Sequence, residues 1–255
     1  MSDHILVESQ SRVLTIRINR PEKKNALTQA MYSAMTAALR QGEADSSVRA
    51  ILLTGTDGCF TAGNDLADFA SAAPGGRPSV AIEFLHALAA MQKPVVAAVN
   101  GLAIGIGATL LLHCDLVYAA AIARFQFPFV NLGLCPEAAS SLILPSLVGH
   151  RRAAELLYFG EPFGADAGRD FGIVNQVFPD AELLSAATAR ALQLAEKPPA
   201  ALRATKALLK GHSKAAIHEA MAQEMQHFAA LLQGPEAKEA MAAFLERRKP
   251  DFSKF

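Results

Sequence analysis

Short runs that are apolar at nearly every position constrain this chain most. They lie at 48–53, 94–99 and 116–120, and each is too brief for an independent buried helix. A strand that is apolar on both faces must be covered on both. That is the arrangement of α/β proteins, in which helices pack against a largely parallel sheet. Glycine-containing turns leave the first two runs, through Gly55 and Gly58 and through Gly101, Gly105 and Gly107, and helical periodicity follows.

Composition agrees with a large core: 51% of the 255 residues are hydrophobic and 19% charged, which excludes dominant disorder. Lys+Arg and Asp+Glu both number 24, so neither nucleic acid nor an anionic membrane is expected as the main partner. No segment reaches the ~18 uninterrupted apolar residues of a membrane span. Cys59, Cys114 and Cys135 are scattered and read as reduced thiols. The histidines show no zinc-type spacing, and no metal is expected. Without a signal-peptide pattern at the amino terminus, the expected location is cytoplasmic. The final Ser253-Lys254-Phe255 differs at its last residue from a peroxisomal Ser-Lys-Leu address.

Strand-like alternation at 5–7 and 13–18 predicts a hairpin. Thr28 is the expected N-cap of a helix over 29–40, and further helices are predicted over 66–70, 79–91 and 108–113, with a loop at 73–78. After Pro179 the pattern becomes helical throughout: 181–196, 199–209, 215–232 and 236–247, separated by proline and glycine. The expected organisation is an α/β core over 1–185 that carries the site. A helical region over 186–255 would cover that core, act as a lid or meet a neighbouring subunit.

Two turns draw attention as chemistry. Gly58-Cys59-Phe60-Thr61-Ala62-Gly63-Asn64-Asp65-Leu66 and Asn100-Gly101-Leu102-Ala103-Ile104-Gly105-Ile106-Gly107 each run from a strand toward a helix start, where backbone N–H groups are free. Side by side they would bind a developing oxyanion without any charged side chain. Taken singly, each is also explained by glycine easing a strand into a helix. The second turn lacks the third glycine of a dinucleotide fingerprint, which argues against a nicotinamide cofactor. A third segment, Leu134-Cys135-Pro136-Glu137-Ala138-Ala139-Ser140-Ser141, has Pro136 at an apparent first helical position and Glu137 in the first turn, which is ordinary helix-start chemistry. Yet the preceding stretch, 125–134, is free of charge and rich in Phe. A carboxyl against such a wall has its pKa raised toward neutrality, as a general base requires. His86 and His113 lie among apolar neighbours and read as structural.

Across most of its length the chain resembles the crotonase, or enoyl-CoA hydratase/isomerase, superfamily. The likeness rests on Asn19-Arg20-Pro21-Glu22-Lys23-Lys24-Asn25-Ala26-Leu27, on Phe60 through Leu66, on Pro94 through Asp115 and on the segment from Ala165 to Phe178. It implies a spiral of ββα units with a carboxy-terminal helical region, an acyl-CoA thioester substrate, and a homotrimer or dimer of trimers. Coenzyme A would belong to the substrate, with no separate cofactor. The resemblance is nearest to the Δ3,Δ2-enoyl-CoA isomerase branch. Thr109 and Phe129 stand where hydratases carry glutamates, while Glu137 stands at the isomerase base. It further implies that the N–H groups of Asn64 and Ile106 hold the oxyanion. Lys24, Ala26, Ala62, Gly63, Asn64, Asp65, Leu66 and Ile106 would contact the CoA ester. Arg20, Lys23 and Lys206 are further candidates for its phosphates, and Phe125, Phe127 and Phe129 are candidate acyl-pocket walls or core residues. Other crotonase reactions, and a silent acyl-CoA-binding protein, remain alternatives.

Overall fold

A computed structural model describes residues 2–65, 68, 80–246 and 248–255. Leu66, most of the helix expected over 66–70 and the loop expected at 73–78 lie outside the described residues. The chain opens with the expected hairpin, β1 (Ile5–Gln10) and β2 (Val13–Ile18). Ser11 and Arg12 join them with φ of 49° and 68°, a tight turn whose twist matches that of the strands.

The α/β core is a spiral. Each ββ pair places one strand in a six-stranded sheet and the next, shorter one in a four-stranded sheet. The pairs are β3 (Ala50–Thr54) with β4 (Cys59–Thr61), β5 (Val95–Val99) with β6 (Leu102–Ile104), and β7 (Leu116–Ala120) with β8 (Arg124–Gln126). β9 (Phe163–Gly164) closes the small sheet antiparallel to β8, and β10 (Gln176–Phe178) closes the large one parallel to β7. The order is β1-β2-β3-β5-β7-β10 in one sheet and β4-β6-β8-β9 in the other. Sequence periodicity reads β4 and β6 as parts of turns, because a three-residue strand spans too few positions to show alternation.

Pleating sends alternate residues of the long strands into two cores. Ile51, Leu53, Val95, Ala97 and Val99 point into the main core, with α1 (Gln29–Ala44) and α2 (Val80–Ala90). Ala50, Leu52, Val96 and Ala98 point the other way, under α7 (Leu183–Ala195). That helix presents Leu183, Ala187, Ala191 and Ala195, and the alanines in this stripe let its backbone lie close to the sheet. Thr28 caps α1 as expected, accepting the Met31 N–H at 3.3 Å.

The shorter helices are α3 (Ile106–Thr109), α4 (Ser140–Val148), α5 (His150–Phe159) and α6 (Ala165–Asp170). The helix expected over 108–113 is thus split: α3 starts at Ile106, and Leu110–His113 is a 3-10 turn. Beyond α7 come α8 (Pro199–Gly211), α9 (Lys214–Leu232) and α10 (Pro235–Leu245), close to the predicted segments. No helix among the described residues is long and apolar enough to cross a membrane.

Lys206, a candidate phosphate contact, is instead a structural cation. Its buried ammonium donates to Asp115 Oδ2 at 2.6 Å and to the Lys93 carbonyl at 2.7 Å. The same Asp115 oxygen accepts the Val95 N–H at 2.8 Å, so one carboxylate ties α8 to the start of two strands. Asp115→Asn keeps the shape but leaves Lys206 charged and unmatched, and should lower the unfolding free energy by roughly 3 kcal/mol. Urea denaturation measures this; a loss well under 1 kcal/mol would contradict the anchoring role.

Candidate active site

The first motif is held by a left-handed asparagine. Asn25 is buried at φ 57°, a conformation asparagine tolerates better than most residues. Its Nδ2 donates to the Cys59 carbonyl at 2.6 Å, its Oδ1 accepts the Arg20 N–H at 2.7 Å, and its carbonyl accepts the Thr61 hydroxyl at 2.7 Å. The segment is thereby laid along the first turn. Ala62 N–H donates to the Lys24 carbonyl at 3.0 Å, Leu27 N–H to Gly63 at 2.8 Å, and Asp65 N–H to Leu27 at 2.9 Å. These last two bonds form a parallel bridge between Leu27 and Asn64. A residue flanked in this way directs its own N–H to the opposite side, so Asn64 N–H points away from Leu27.

The second turn packs directly on the first. A Cβ on Gly63, whose φ is 91°, would fall 2.7 Å from the Ile104 carbonyl oxygen, and one on Gly107 would fall 2.6 Å from Thr61 Cγ2. Only glycines permit this approach. Ile106 is the first residue of α3, so its N–H lies among the amides left unpaired at a helix start. Among the described residues, no acceptor is recorded for the N–H of Asn64 or of Ile106. The expected site residues Lys24, Ala26, Ala62, Gly63, Asn64, Asp65 and Ile106 are thus brought to neighbouring segments. Lys23 and Lys24 are exposed.

Glu137 is tied to the helix that follows the second turn. Thr109, one helical turn beyond Ile106, donates its hydroxyl to Glu137 Oε1. Tyr32, on α1, donates its hydroxyl to Asn64 Oδ1 at 2.5 Å and lies close enough to feel the Glu137 charge. Burial raises the Glu137 pKa from 4.5 to about 7; the Thr109 hydrogen bond opposes the rise, and the negative charge of Glu224 adds to it. The helix-start reading of Glu137 needs correction. α4 begins only at Ser140, and Ala138 and Ala139 intervene at φ 62° and 55°. Glu137 therefore complements no helix dipole from within a first turn.

One further expectation changes. Arg20 is engaged within the fold: its Nη1 donates to Asp65 Oδ2 at 2.6 Å and to the Ala26 carbonyl at 3.0 Å. Phe125, Phe127 and Phe129, expected as acyl-pocket walls or core residues, are buried, with Phe125 and Phe127 stacked on Phe163.

A family model described as Enoyl-CoA hydratase/isomerase matches residues 8–254. The chain belongs to the enoyl-CoA hydratase/isomerase family. It is 36% identical over 253 residues to Enoyl-CoA delta isomerase 2 of Rattus norvegicus, covering 97% of this chain and 64% of that protein. This chain therefore spans less than two thirds of the rat relative's length. It is 35% identical over 253 residues to 2,3-dehydroadipyl-CoA hydratase of Escherichia coli, covering 97% and 98% of the two chains. A solved enoyl-CoA hydratase/isomerase from Pseudoalteromonas atlantica superposes with a TM-score of 0.95 at 42% identity, over 98% of this chain and 100% of that one.

Sequence reasoning about this enoyl-CoA hydratase/isomerase chain misses Tyr32 and Glu224. Tyr32 is hidden within the apolar face of α1. Glu224 leaves a signal, because it falls on the inward stripe of α9 together with Ile217, Met221 and Phe228, where a carboxylate is out of place.

Because folding raises the Glu137 pKa, the folded state holds that proton more tightly than the unfolded chain. This group therefore costs stability as pH climbs from about 4.5 to about 7, and its cost is constant above. Unfolding free energies of wild type and Glu137→Gln should diverge in favour of the variant across that window. Thr109→Val, which removes the bond that favours the charged form, should extend the divergence to higher pH. Parallel stability curves at pH 5 and pH 8 would contradict the assignment.

Proposed function

We propose that this protein isomerises 3-enoyl-CoA to trans-2-enoyl-CoA, with Glu137 as the single proton carrier. The observation that carries this reading is the Glu137 carboxyl itself. Burial raises its pKa to about 7, and it receives a side-chain hydrogen bond from Thr109, on the helix that begins at the second turn. A base of that strength can both take and return a proton near pH 7.

The chemistry needs only one such group. The proton on the acyl α-carbon is acidified by the thioester and by the neighbouring β,γ double bond. Glu137 removes it, and the electron pair moves through the α-carbon onto the thioester oxygen, giving a dienolate. The N–H groups of Asn64 and Ile106 stabilise that oxyanion; loss of one such donor typically costs ~2.7–4 kcal/mol in the transition state. Collapse of the dienolate delivers electrons to the acyl γ-carbon, which takes the proton back from Glu137, and the double bond ends between the α- and β-carbons. No cofactor enters. The proposed contacts to the CoA ester are Lys24, Ala26, Ala62, Gly63, Asn64, Asp65, Leu66 and Ile106, with Lys23 beside them.

Assembly belongs to the same proposal. Tyr158 and Phe159 on α5, Leu208 and Leu209 on α8, and Phe244 and Leu245 on α10 are all more than 60% exposed. Apolar side chains displayed in pairs on three helices favour contacts between copies, consistent with a homotrimer or dimer of trimers. Light scattering at micromolar concentration should report at least three chains per particle; a single-chain particle would overturn the assembly.

Purified protein should convert trans-3-enoyl-CoA in a spectrophotometric assay run in parallel with 2-enoyl-CoA hydration. Glu137→Gln should retain CoA-ester affinity and lose about 10²–10⁴-fold in turnover, whereas Thr109→Ala should have a much smaller effect. Full isomerase turnover in Glu137→Gln would remove the single-base reading. Hydration without isomerisation would assign another reaction of the family, and binding without turnover would assign a silent acyl-CoA-binding protein.

A further inference from the structure

The turn that carries Glu137 adopts a backbone its own residues do not favour. Ala138 and Ala139 lie at φ 62° and 55°, in the left-handed region that a Cβ disfavours. Ala139 is also the N-cap of α4 and has no side chain with which to satisfy the free amides there. Side chains from two other elements hold the turn on either side. A ring nitrogen of His113 lies 2.8 Å from the Ala138 carbonyl. Burial pushes the His113 pKa down to about 4, so at pH 7 the ring is neutral and its Nε2–H donates.

Glu224, 7% exposed on α9, engages the other side of the turn. Its Oε2 accepts the Ala139 N–H at 2.6 Å. Its Oε1 accepts the Ser141 N–H at 2.9 Å and the Ser141 hydroxyl at 2.5 Å. Three donors and no acceptor fit a carboxylate and not a carboxylic acid.

We propose that Glu224 is a positioning residue: reaching from the carboxy-terminal helical layer, it caps α4, holds Ala138 and Ala139 in their left-handed turn and thereby aims the Glu137 carboxyl. This rests on the reading of Glu137 as the base. Glu224 also claims the α4 amides, which would otherwise stabilise an anion beside them and weaken Glu137 as a base. The other titratable groups facing Glu137 are the Tyr32 hydroxyl from α1 and the Cys135 thiol, both kept neutral by burial. Asp68 acts on Tyr32, and Lys210 reaches the His113 carbonyl at 2.8 Å. Among the described residues, Glu224 is thus the charged group acting on Glu137.

Glu224→Gln in the full chain tests this. The substitution keeps the volume, removes the charge and sets an amide donor against a backbone N–H. With 3-enoyl-CoA, kcat should fall between about 10-fold and 10²-fold while KM stays within about twofold. The acid limb of the kcat–pH profile should move to lower pH, because the charge that helps hold the Glu137 pKa up is gone; a purely structural role would leave that limb in place. Hydrogen exchange at the Ala139 and Ser141 amides should accelerate, and this readout needs no substrate. Faster exchange in the variant of a protein that does not isomerise would sustain the positioning role and reject the reaction. Wild-type kcat, an unmoved acid limb and unchanged exchange would overturn the positioning role. Ser141→Ala covers the case in which Glu224→Gln does not fold. It removes one donor and leaves the charge, so it should lower kcat more mildly with the acid limb unmoved. Unchanged kcat and unchanged exchange at Ala139 in Ser141→Ala would count against the proposal.

Discussion

Burying the Glu137 carboxyl beside Thr109 removes it from water; burial is the largest influence on its pKa, and among the described residues the charge acting on it, that of Glu224, is negative. A carboxylate in such a place is costly, and the cost is the source of its basicity. The surroundings are arranged so that this cost is not relieved. Two backbone amides close by in the chain, at Ala139 and Ser141, are given to Glu224. Among the described residues Thr109 offers the side-chain donor, which opposes the rise without returning the pKa to the ordinary range.

The rest of the architecture packs the two glycine turns against each other. In the spiral, consecutive ββ units set β4 and β6 side by side in the small sheet, so the turns that follow them must also be neighbours. Gly63 against Ile104 and Gly107 against Thr61 close the remaining distance. Backbone N–H groups placed in this way depend on fold and not on side-chain identity. Ile106 can therefore occupy its position with a bulky side chain and still offer its amide.

The legible parts of the sequence were those where burial leaves a periodic mark. The long strands are apolar on both faces because one face meets α1 and α2 and the other meets α7. The carboxy-terminal helices announce themselves through alanine-rich stripes bounded by proline and glycine. The short strands β4 and β6 leave no such mark, since three residues cannot display a period. Charge was misread for a related reason. Arg20 and Lys206 are cations beside the expected site, and in the sequence a cation awaiting phosphate looks the same as one already paired with Asp65 or Asp115. Only the fold, which joins positions far apart in the chain, distinguishes them.

Glu137 shows how two opposing sequence signals can meet at one residue. The sequence places it after Pro136 at what resembles a helix start, where a carboxylate is stabilised and its pKa falls. The apolar stretch before it argues for the opposite shift. The structure reconciles the two by delaying the helix to Ser140 and filling its amino-terminal end with a different carboxylate, Glu224, drawn from another layer. The helix start thus serves one of the two acids and not the other. Glu224 takes the hydrogen bonds, which favour its charged form against burial, and Glu137, deprived of them, keeps a raised affinity for a proton.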